Sequence, residues 1–489
     1  MKIKILFAGI ILLFLFTRIY KINEIPSSLY WDEASIGYNA ILISQTLRDE
    51  NHRLLPLFFL TMEGKDWKQP VTIYTTAVLF KIFGPSYTLL RLVSVLMLFV
   101  STGALFLFVK DIFNQKIAIL GSILYLTSPI LLIQSHLALE NIALLPFVVF
   151  WFFMIYKYEK IKENKYLILS GLSLGLSFYS YNGMRLIMPI LALLSFGYIF
   201  YLHNYSFKKS LLVFKYFFLG LIPFFLFLFI AQNKYPGAIV GNRSPDEIHS
   251  YQQFLLPYIS SFDPSFLFIQ GDTTPYHSTG IHGIFLLATL PLFLFGLYYI
   301  LKNKIPILLL TITIFFFSPL LYGFVDSIHR GSRLLILVPF YTIISAVGLK
   351  YILQINQKVL KTIILILIFG LILFNYIDFL KIYWFTYPNN VKESFSIPLH
   401  IYFRELSDQS VKTSLKPFIE NGLYHQNVEA SKFFEKIYFS NSLKFWEIGN
   451  DLPVKSVTLV RSADGLNLEQ KGFQRIDLIG SDYNLIINK

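Results

Sequence analysis

Eleven apolar runs, each close to the length that crosses a lipid bilayer, recur along the 489 residues and constrain the fold more than any other feature. A spanning helix needs roughly 17 to 25 mostly apolar residues. Its backbone N–H and C=O groups must all be satisfied internally, because the hydrocarbon core holds no water. The runs lie near 5–20, 88–109, 117–134, 141–157, 166–180, 186–202, 210–231, 283–301, 305–323, 334–352 and 360–377. With 55% hydrophobic and 15% charged residues, the chain reads as an all-α polytopic membrane protein. Fifty Phe and thirty-one Tyr suit lipid-facing helices and interfacial belts.

The first run follows Lys2 and Lys4 and continues into Arg18-Ile-Tyr-Lys21 without a small-residue cleavage site, so it is read as a retained span. A net charge of +13 raises the question of nucleic acid, but the lysines sit in short clusters between apolar runs, as in cytoplasmic loops. A nucleic-acid partner is therefore discounted. The absence of cysteine excludes disulfides, thiol nucleophiles and cysteine metal sites.

Residues 71–83 are apolar but short, and counting them as a span would reverse every later loop. Left uncrossed, they put Lys110 and Lys116, then Lys157, Lys160, Lys162 and Lys165, then Lys208 and Lys209, on the side of Lys2 and Lys4. Lys302 and Lys304, then Lys350, Lys358 and Lys361, join them there. Segment 71–83 is thus expected to be a helix along the outer interface, with the N-terminus cytoplasmic. The expected division is a transmembrane domain, 1–377, with large outer loops 21–87 and 232–282, followed by a small extracytoplasmic α/β domain, 378–489. Strand-like runs in the tail are 436–440, 456–460 and 483–488, with helical stretches such as Glu429 to Phe434.

Charged residues collect on the outer side. Asp32 and Glu33 follow the first span and open a helix-compatible stretch. Asp32 fits an N-cap, and a carboxylate at a helix N-terminus stays ionised and available as a base. Lys68, in Lys65-Asp-Trp-Lys68-Gln-Pro70, fits either a lysine snorkelling to headgroups or a ligand of a lipid-linked phosphate. Glu140 suits the positive end of the helix after it. Arg185 lies in another short outer turn, and the group His329, Arg330 and Arg333 sets two arginines where the positive-inside rule least expects them, which an anionic ligand accounts for. Arginine presents a planar fork of donors matched to phosphate oxygens.

At these residues the sequence resembles the bacterial relatives of the dolichyl-phosphate-mannose protein mannosyltransferases, a GT-C superfamily group that includes the lipid A aminoarabinose transferase. The likeness rests on Asp32-Glu33, on Lys68-Gln-Pro70 leading to Phe83-Gly84 and Arg91-Leu92, and on Ser135 to Glu140. It continues through Gly175 to Tyr181 with Arg185, Phe266 to Asp272 with His277, and His329-Arg-Gly-Ser-Arg333. The resemblance implies a GT-C-like fold of about eleven transmembrane helices in the plasma (inner) membrane. It also implies inverting transfer of a sugar from a polyprenyl-phosphate donor to an acceptor hydroxyl on a protein, lipid or glycan. By that likeness Asp32 is the catalytic base, Glu33 its neighbour in the acceptor site, and Lys68 a phosphate ligand. Glu140, Arg185, Asp272, His277, His329, Arg330 and Arg333 complete the substrate-binding set. The chain has Lys-Gln-Pro where the aminoarabinose branch commonly has Lys-Pro-Pro, which weakens assignment to that substrate.

No cofactor is demanded by any motif. A divalent cation held by Asp32, Glu33 and Glu140 stays open, since no metal-ligand spacing requires it. The alternatives are a transporter or flippase of a lipid-linked sugar, and a surface-polysaccharide polymerase or ligase. Repeated halves with broken helices at mid-membrane would favour the transporter, and no such halves are visible.

Overall fold

The computed structural model describes residues 2–239, 250–325, 328–395, 397–439, 443–478 and 482–489. Residues 240–249 of the expected second outer loop, and Ser440 in the tail, lie outside them.

The architecture is predominantly helical, as the apolar runs require. Helix α1 spans Lys2–Ile19 and α2 Trp31–Thr46. A short hairpin of β1 (Phe59–Thr61) and β2 (Asp66–Lys68) precedes α3 (Pro70–Phe83) and α4 (Tyr87–Ile112). Then follow α5 (Gln115–Leu126), α6 (Pro129–Ser135), α7 (Leu144–Ile161), α8 (Asn164–Ser177) and α9 (Met184–Leu202). Helices α10 (Phe207–Gly220), α11 (Ile222–Leu226), α12 (Tyr251–Ser260) and α13 (Pro264–Phe268) come next. The apolar series closes with α14 (Leu290–Asn303), α15 (Pro306–Phe317), α16 (Leu337–Leu353) and α17 (Lys358–Lys381). After the short α18 (Tyr387–Asn390) the tail holds α19 (Leu399–Thr413), β3 (Lys416–Glu420), α20 (Asn421–Gln426) and α21 (Val428–Tyr438). It ends with β4 (Lys444–Trp446), β5 (Ser456–Arg461), α22 (Ser462–Gln470), β6 (Gln474–Asp477) and β7 (Tyr483–Asn488).

Among the described residues, five helical segments are long and apolar enough to cross a membrane, or up to seven if each of two bent pairs is one span. Four shorter apolar helices, Phe7–Ile19, Pro70–Phe83, Leu287–Asn303 and Leu337–Leu353, accompany them. This is an integral membrane protein. The α5–α6 pair is bent by 66° at Thr127-Ser128. Pro129 there has no N–H to extend the ladder. The Leu126 carbonyl, at the end of α5 where the ladder breaks, is met by Arg18, whose Nη2 donates to it while Nη1 donates to Thr17 Oγ1 at 2.9 Å. Arg18 is fully buried, with its guanidinium over the Phe14 ring.

Two compact units divide the chain. The first comprises residues 1–22, 56–72 and 91–391. Helices pack in it through glycine: a Cβ on Gly348 of α16 would stand 1.9 Å from the Leu292 carbonyl of α14, and one on Gly296 of α14 would stand 1.9 Å from the Ile344 carbonyl of α16. Such close backbone approach is how small residues bring membrane helices together, where apolar side chains gain little over lipid.

The second unit comprises residues 23–55, 73–90 and 392–489. Its sheet has the order β4-β3-β5-β7-β6, with β3 parallel to β4 and β5, and β7 antiparallel to β5 and β6. Phe418, Trp446, Leu452, Val460, Leu468 and Ile486 form a core on one face. Strands β5 and β7 occupy the expected runs 456–460 and 483–488. The run at 436–440 is a correction, because Lys436–Tyr438 is the last turn of α21. Buried Ala430, Phe433 and Phe434 set a helical period that outweighs the brief alternation after them. Gly37 of α2 lies against Phe433 of α21, where a Cβ would stand 2.6 Å from the ring.

Candidate active site

Asp66 and Lys68 are two residues apart on β2, so they project from the same face of the hairpin. Lys68 Nζ lies 2.6 Å from Asp66 Oδ2, and the lysine side chain is 5% exposed. The hairpin turns through Met62, Glu63 and Gly64, all with positive φ. Gln69 follows, its backbone N–H donating to Glu140 Oε1, and Val71 N donates to the Tyr179 carbonyl at 3.3 Å. The hairpin exit is thereby fastened to two other outer turns. Glu140 itself opens the 3-10 turn Glu140–Ala143 that leads into α7.

Arg185 sits in the first turn of α9, where the helix dipole disfavours a cation. Burial opposes its charge further, and the carboxylates of Glu140 and Asp66 offset part of that cost. Its Nη1 donates to the Ile239 carbonyl, while Nε and Nη2 are buried without a hydrogen-bond partner among the described residues.

A second set closes the group. Asp272 is buried and accepts from Thr274 N at 2.7 Å and from Ser332 N at 3.3 Å, and Thr273 N donates to the His329 carbonyl. Arg330 Nη1 donates to Thr274 Oγ1, and Tyr322 donates to the Arg333 carbonyl. Tyr181 is buried where the Arg333, Glu140 and Asp272 charges all reach it. Burial, with the two carboxylates adding to it against Arg333, pushes its hydroxyl up to about 12, so it is a neutral donor. His277 is buried and its Nδ1 accepts from Gln134 Nε2 of α6 at 2.7 Å.

The first unit thus brings together Lys68, Glu140, Arg185, Asp272, Arg330 and Arg333, with His277 fixed by the helix after the bend. His329 turns elsewhere, its Nε2 3.0 Å from Asp263 Oδ2 and its ring stacked on Phe266. Asp263 caps α13 through Ser265 N, so His329 clamps that helix. Sequence reasoning passed over Asp66, Gln69, Gln134 and Tyr181. Asp66 was signalled by its spacing of two from Lys68; Gln134 and Tyr181 had no comparable signal.

In the second unit, Asp32 and Glu33 lie in the first turn of α2. The helix begins after Tyr30, and it is Glu33, fully buried, whose Oε2 accepts from Tyr30 N at 2.9 Å. Asp32 is therefore not the N-cap: Glu33 supplies the capping carboxylate, which leaves Asp32 half-buried one position earlier. Further along, Asn39 donates to Glu50 Oε1 at 2.9 Å, and Lys432 approaches Glu429 at 3.3 Å and Glu50 at 3.9 Å. Burial raises the Glu50 carboxyl above its ordinary range; Glu429 adds to this, while Asn39 and Lys432 oppose it. Among the described residues, no group of three or more His, Asp or Glu is disposed to hold a metal ion.

The dolichyl-phosphate-mannose-protein mannosyltransferase family profile matches residues 68–230, the stretch that begins at Lys68 and takes in Glu140 and Arg185. No curated protein matches by sequence comparison. Among solved structures, ArnT from Cupriavidus metallidurans in the apo state is 10% identical, with a TM-score of 0.55 over 99% of this chain and 98% of that one. The same protein bound to undecaprenyl phosphate is 10% identical, with a TM-score of 0.52 over 98% of each chain. At that identity the likeness is one of fold. The chain thus has the GT-C fold of ArnT over nearly its whole length and carries the dolichyl-phosphate-mannose-protein mannosyltransferase match at residues 68–230, as its sequence resemblance implied.

Proposed function

We propose that the protein is an inverting glycosyltransferase that moves a sugar from a polyprenyl-phosphate donor to an acceptor hydroxyl on the extracytoplasmic face of the membrane. The observation that carries this reading is the cation set of buried Lys68 and half-buried Arg185, Arg330 and Arg333, in which two buried donor nitrogens of Arg185 have no hydrogen-bond partner among the described residues. Burial of charge without full pairing is costly, and an anion would offset it. The ArnT structure that contains undecaprenyl phosphate supports a lipid phosphate as that anion.

In the proposed reaction Asp32 takes the proton of the acceptor hydroxyl as its oxygen bonds to the anomeric carbon. The bond from that carbon to the phosphate oxygen breaks on the opposite face, and its electron pair leaves with the polyprenyl phosphate. Lys68, Arg185, Arg330 and Arg333 stabilise the developing charge, a contribution of about 3 to 4 kcal/mol for removal of one preorganised donor in other enzymes. The leaving phosphate needs no proton. Glu33, committed to the helix start, holds the turn that presents Asp32.

The test is label transfer from a synthetic polyprenyl-phosphate hexose to acceptors in native membrane extract. Wild type should transfer and Asp32→Asn should not, with both binding the carrier. Turnover retained by the variant removes Asp32 as base. Carrier binding with no transfer by either protein replaces the transferase reading with transport.

A further inference from the structure

The side chain of Gln69 is fully buried, yet among the described residues neither its Oε1 nor its Nε2 has a hydrogen-bond partner. Buried polar groups are nearly always paired, and an orphaned carboxamide destabilises the empty protein relative to an apolar side chain of the same size. The main chain on either side is firmly held. Lys68 is paired with Asp66, the Gln69 N–H is spent on Glu140, and Pro70 begins α3.

Arg185 marks the same locality independently. Its charge interacts with Glu140, which binds the Gln69 backbone, and with Asp66, which pairs with Lys68. Its Nε and Nη2 are likewise buried and unpartnered. Next to the cations proposed to bind phosphate, donors on Arg185, and both a donor group and an acceptor on Gln69, are therefore left without partners among the described residues. A phosphate only accepts hydrogen bonds, so it can use the arginine but leaves Gln69 Oε1 unmatched. A hydroxyl both donates and accepts, which is what a carboxamide complements.

We propose that Gln69 is a specificity-determining residue whose carboxamide binds a hydroxyl of the transferred sugar, next to the phosphate held by Lys68 and Arg185. This inference rests on the proposed transferase reading. It gives a role to the residue at which the sequence has Lys-Gln-Pro, since a proline there would offer the sugar neither donor nor acceptor.

The experiment compares wild type with Gln69→Met, of similar length but without a carboxamide, and with Gln69→Asn, which keeps the group one methylene short. Each purified protein is measured for melting temperature, for binding of sugarless polyprenyl phosphate and of polyprenyl-phosphate hexose, and for transfer. Gln69→Met should melt higher than wild type when empty and bind the sugarless carrier equally. It should lose about tenfold to a hundredfold in affinity or kcat/KM for the hexose donor. Gln69→Asn should show the same loss without the gain in melting temperature. A lower melting temperature in Gln69→Met with unchanged hexose affinity would mean that a buried water satisfies the carboxamide, and the proposal falls. Equal loss for both carriers makes Gln69 a phosphate contact and also overturns it. Carrier binding by wild type without discrimination between the two lipids removes this inference alone, whereas no binding of either lipid removes the transferase reading with it.

Discussion

Replacing Gly348 by alanine tests whether the α14–α16 pair is set by backbone contact. The added Cβ would fall 1.9 Å from the Leu292 carbonyl and 2.8 Å from Gly296 N, both backbone atoms that cannot rotate away. Since real Cβ contacts lie no closer than 3.0 Å, an opening from 1.9 Å moves the two helices apart by about 1.1 Å. Overpacking of this kind costs typically ~1–3 kcal/mol, and here the displacement also loosens the reciprocal contact at Gly296. Helix propensity returns about 1 kcal/mol, because alanine is the better helix former. With two backbone clashes the cost falls at the upper end of that range, so the net expectation is a loss of up to about 2 kcal/mol, read as a lower melting temperature of the purified protein in detergent. Gly370 of α17 is the internal control: nothing lies within 4 Å of its would-be Cβ, so Gly370→Ala should be neutral or slightly stabilising. Gly348→Ala melting at or above wild type, with Gly370→Ala unchanged, would refute the claim that close backbone approach holds these helices.

Arg18→Met keeps much of the side-chain volume but leaves the Leu126 carbonyl at the α5–α6 bend unpaired, and should lower the melting temperature by the equivalent of ~1–3 kcal/mol; an unchanged value would show that the bend does not depend on Arg18. Asp272→Asn places an amide where one carboxylate oxygen accepts from Thr274 N or Ser332 N, and should weaken sugarless-carrier binding by disordering Arg330 and Arg333, as isothermal titration would register. Glu50 gives a pH dependence of definite sign. Its raised folded pKa means that the fold favours the protonated carboxyl, so this contribution to stability is complete below the unfolded pKa of about 4.3 and is lost as pH rises through the folded value. Glu50→Gln should remove that slope from melting curves measured across the acid range, and an identical slope in the variant would place its origin elsewhere.

The membrane part of the fold was legible because its determinant is local: the apolar runs fall on helical segments, of which five, or up to seven if each bent pair is one span, are long and apolar enough among the described residues to cross a membrane. The tail was less legible. Lys436-Ile-Tyr-Phe alternates like a strand, but the packing of Phe433 and Phe434 within the second unit decides for helix, and no window of sequence contains that packing. The site shows the same division. Lys68, Glu140, Arg185, Arg330 and Arg333 drew notice as charges on the outer side and Asp272 through the family resemblance, whereas His329 drew notice within the same outer cluster and proves to clamp α13 through Asp263. Gln69 carries no charge, and although Lys-Gln-Pro marked the position as a departure from the resembled branch, its missing partner is a property that exists only once the chain is folded.

The carboxylates among the cations bear on how the proposed site can work repeatedly. Lys68 is already paired with Asp66, Arg185 faces Asp66 and Glu140, and the loop bearing Arg330 and Arg333 is tied down by Asp272. These anions keep the cations oriented when no ligand is bound, so little reorganisation is needed as charge develops on the leaving phosphate. They also compete with it. Unopposed cations in a buried site would retain the product phosphate as strongly as they stabilise its formation, and uniform tight binding does not raise turnover. A cation set held by carboxylates that remain in place can therefore favour the transition state while still letting polyprenyl phosphate go, which gives Asp66, Glu140 and Asp272 a part in turnover without any of them touching the reacting carbon.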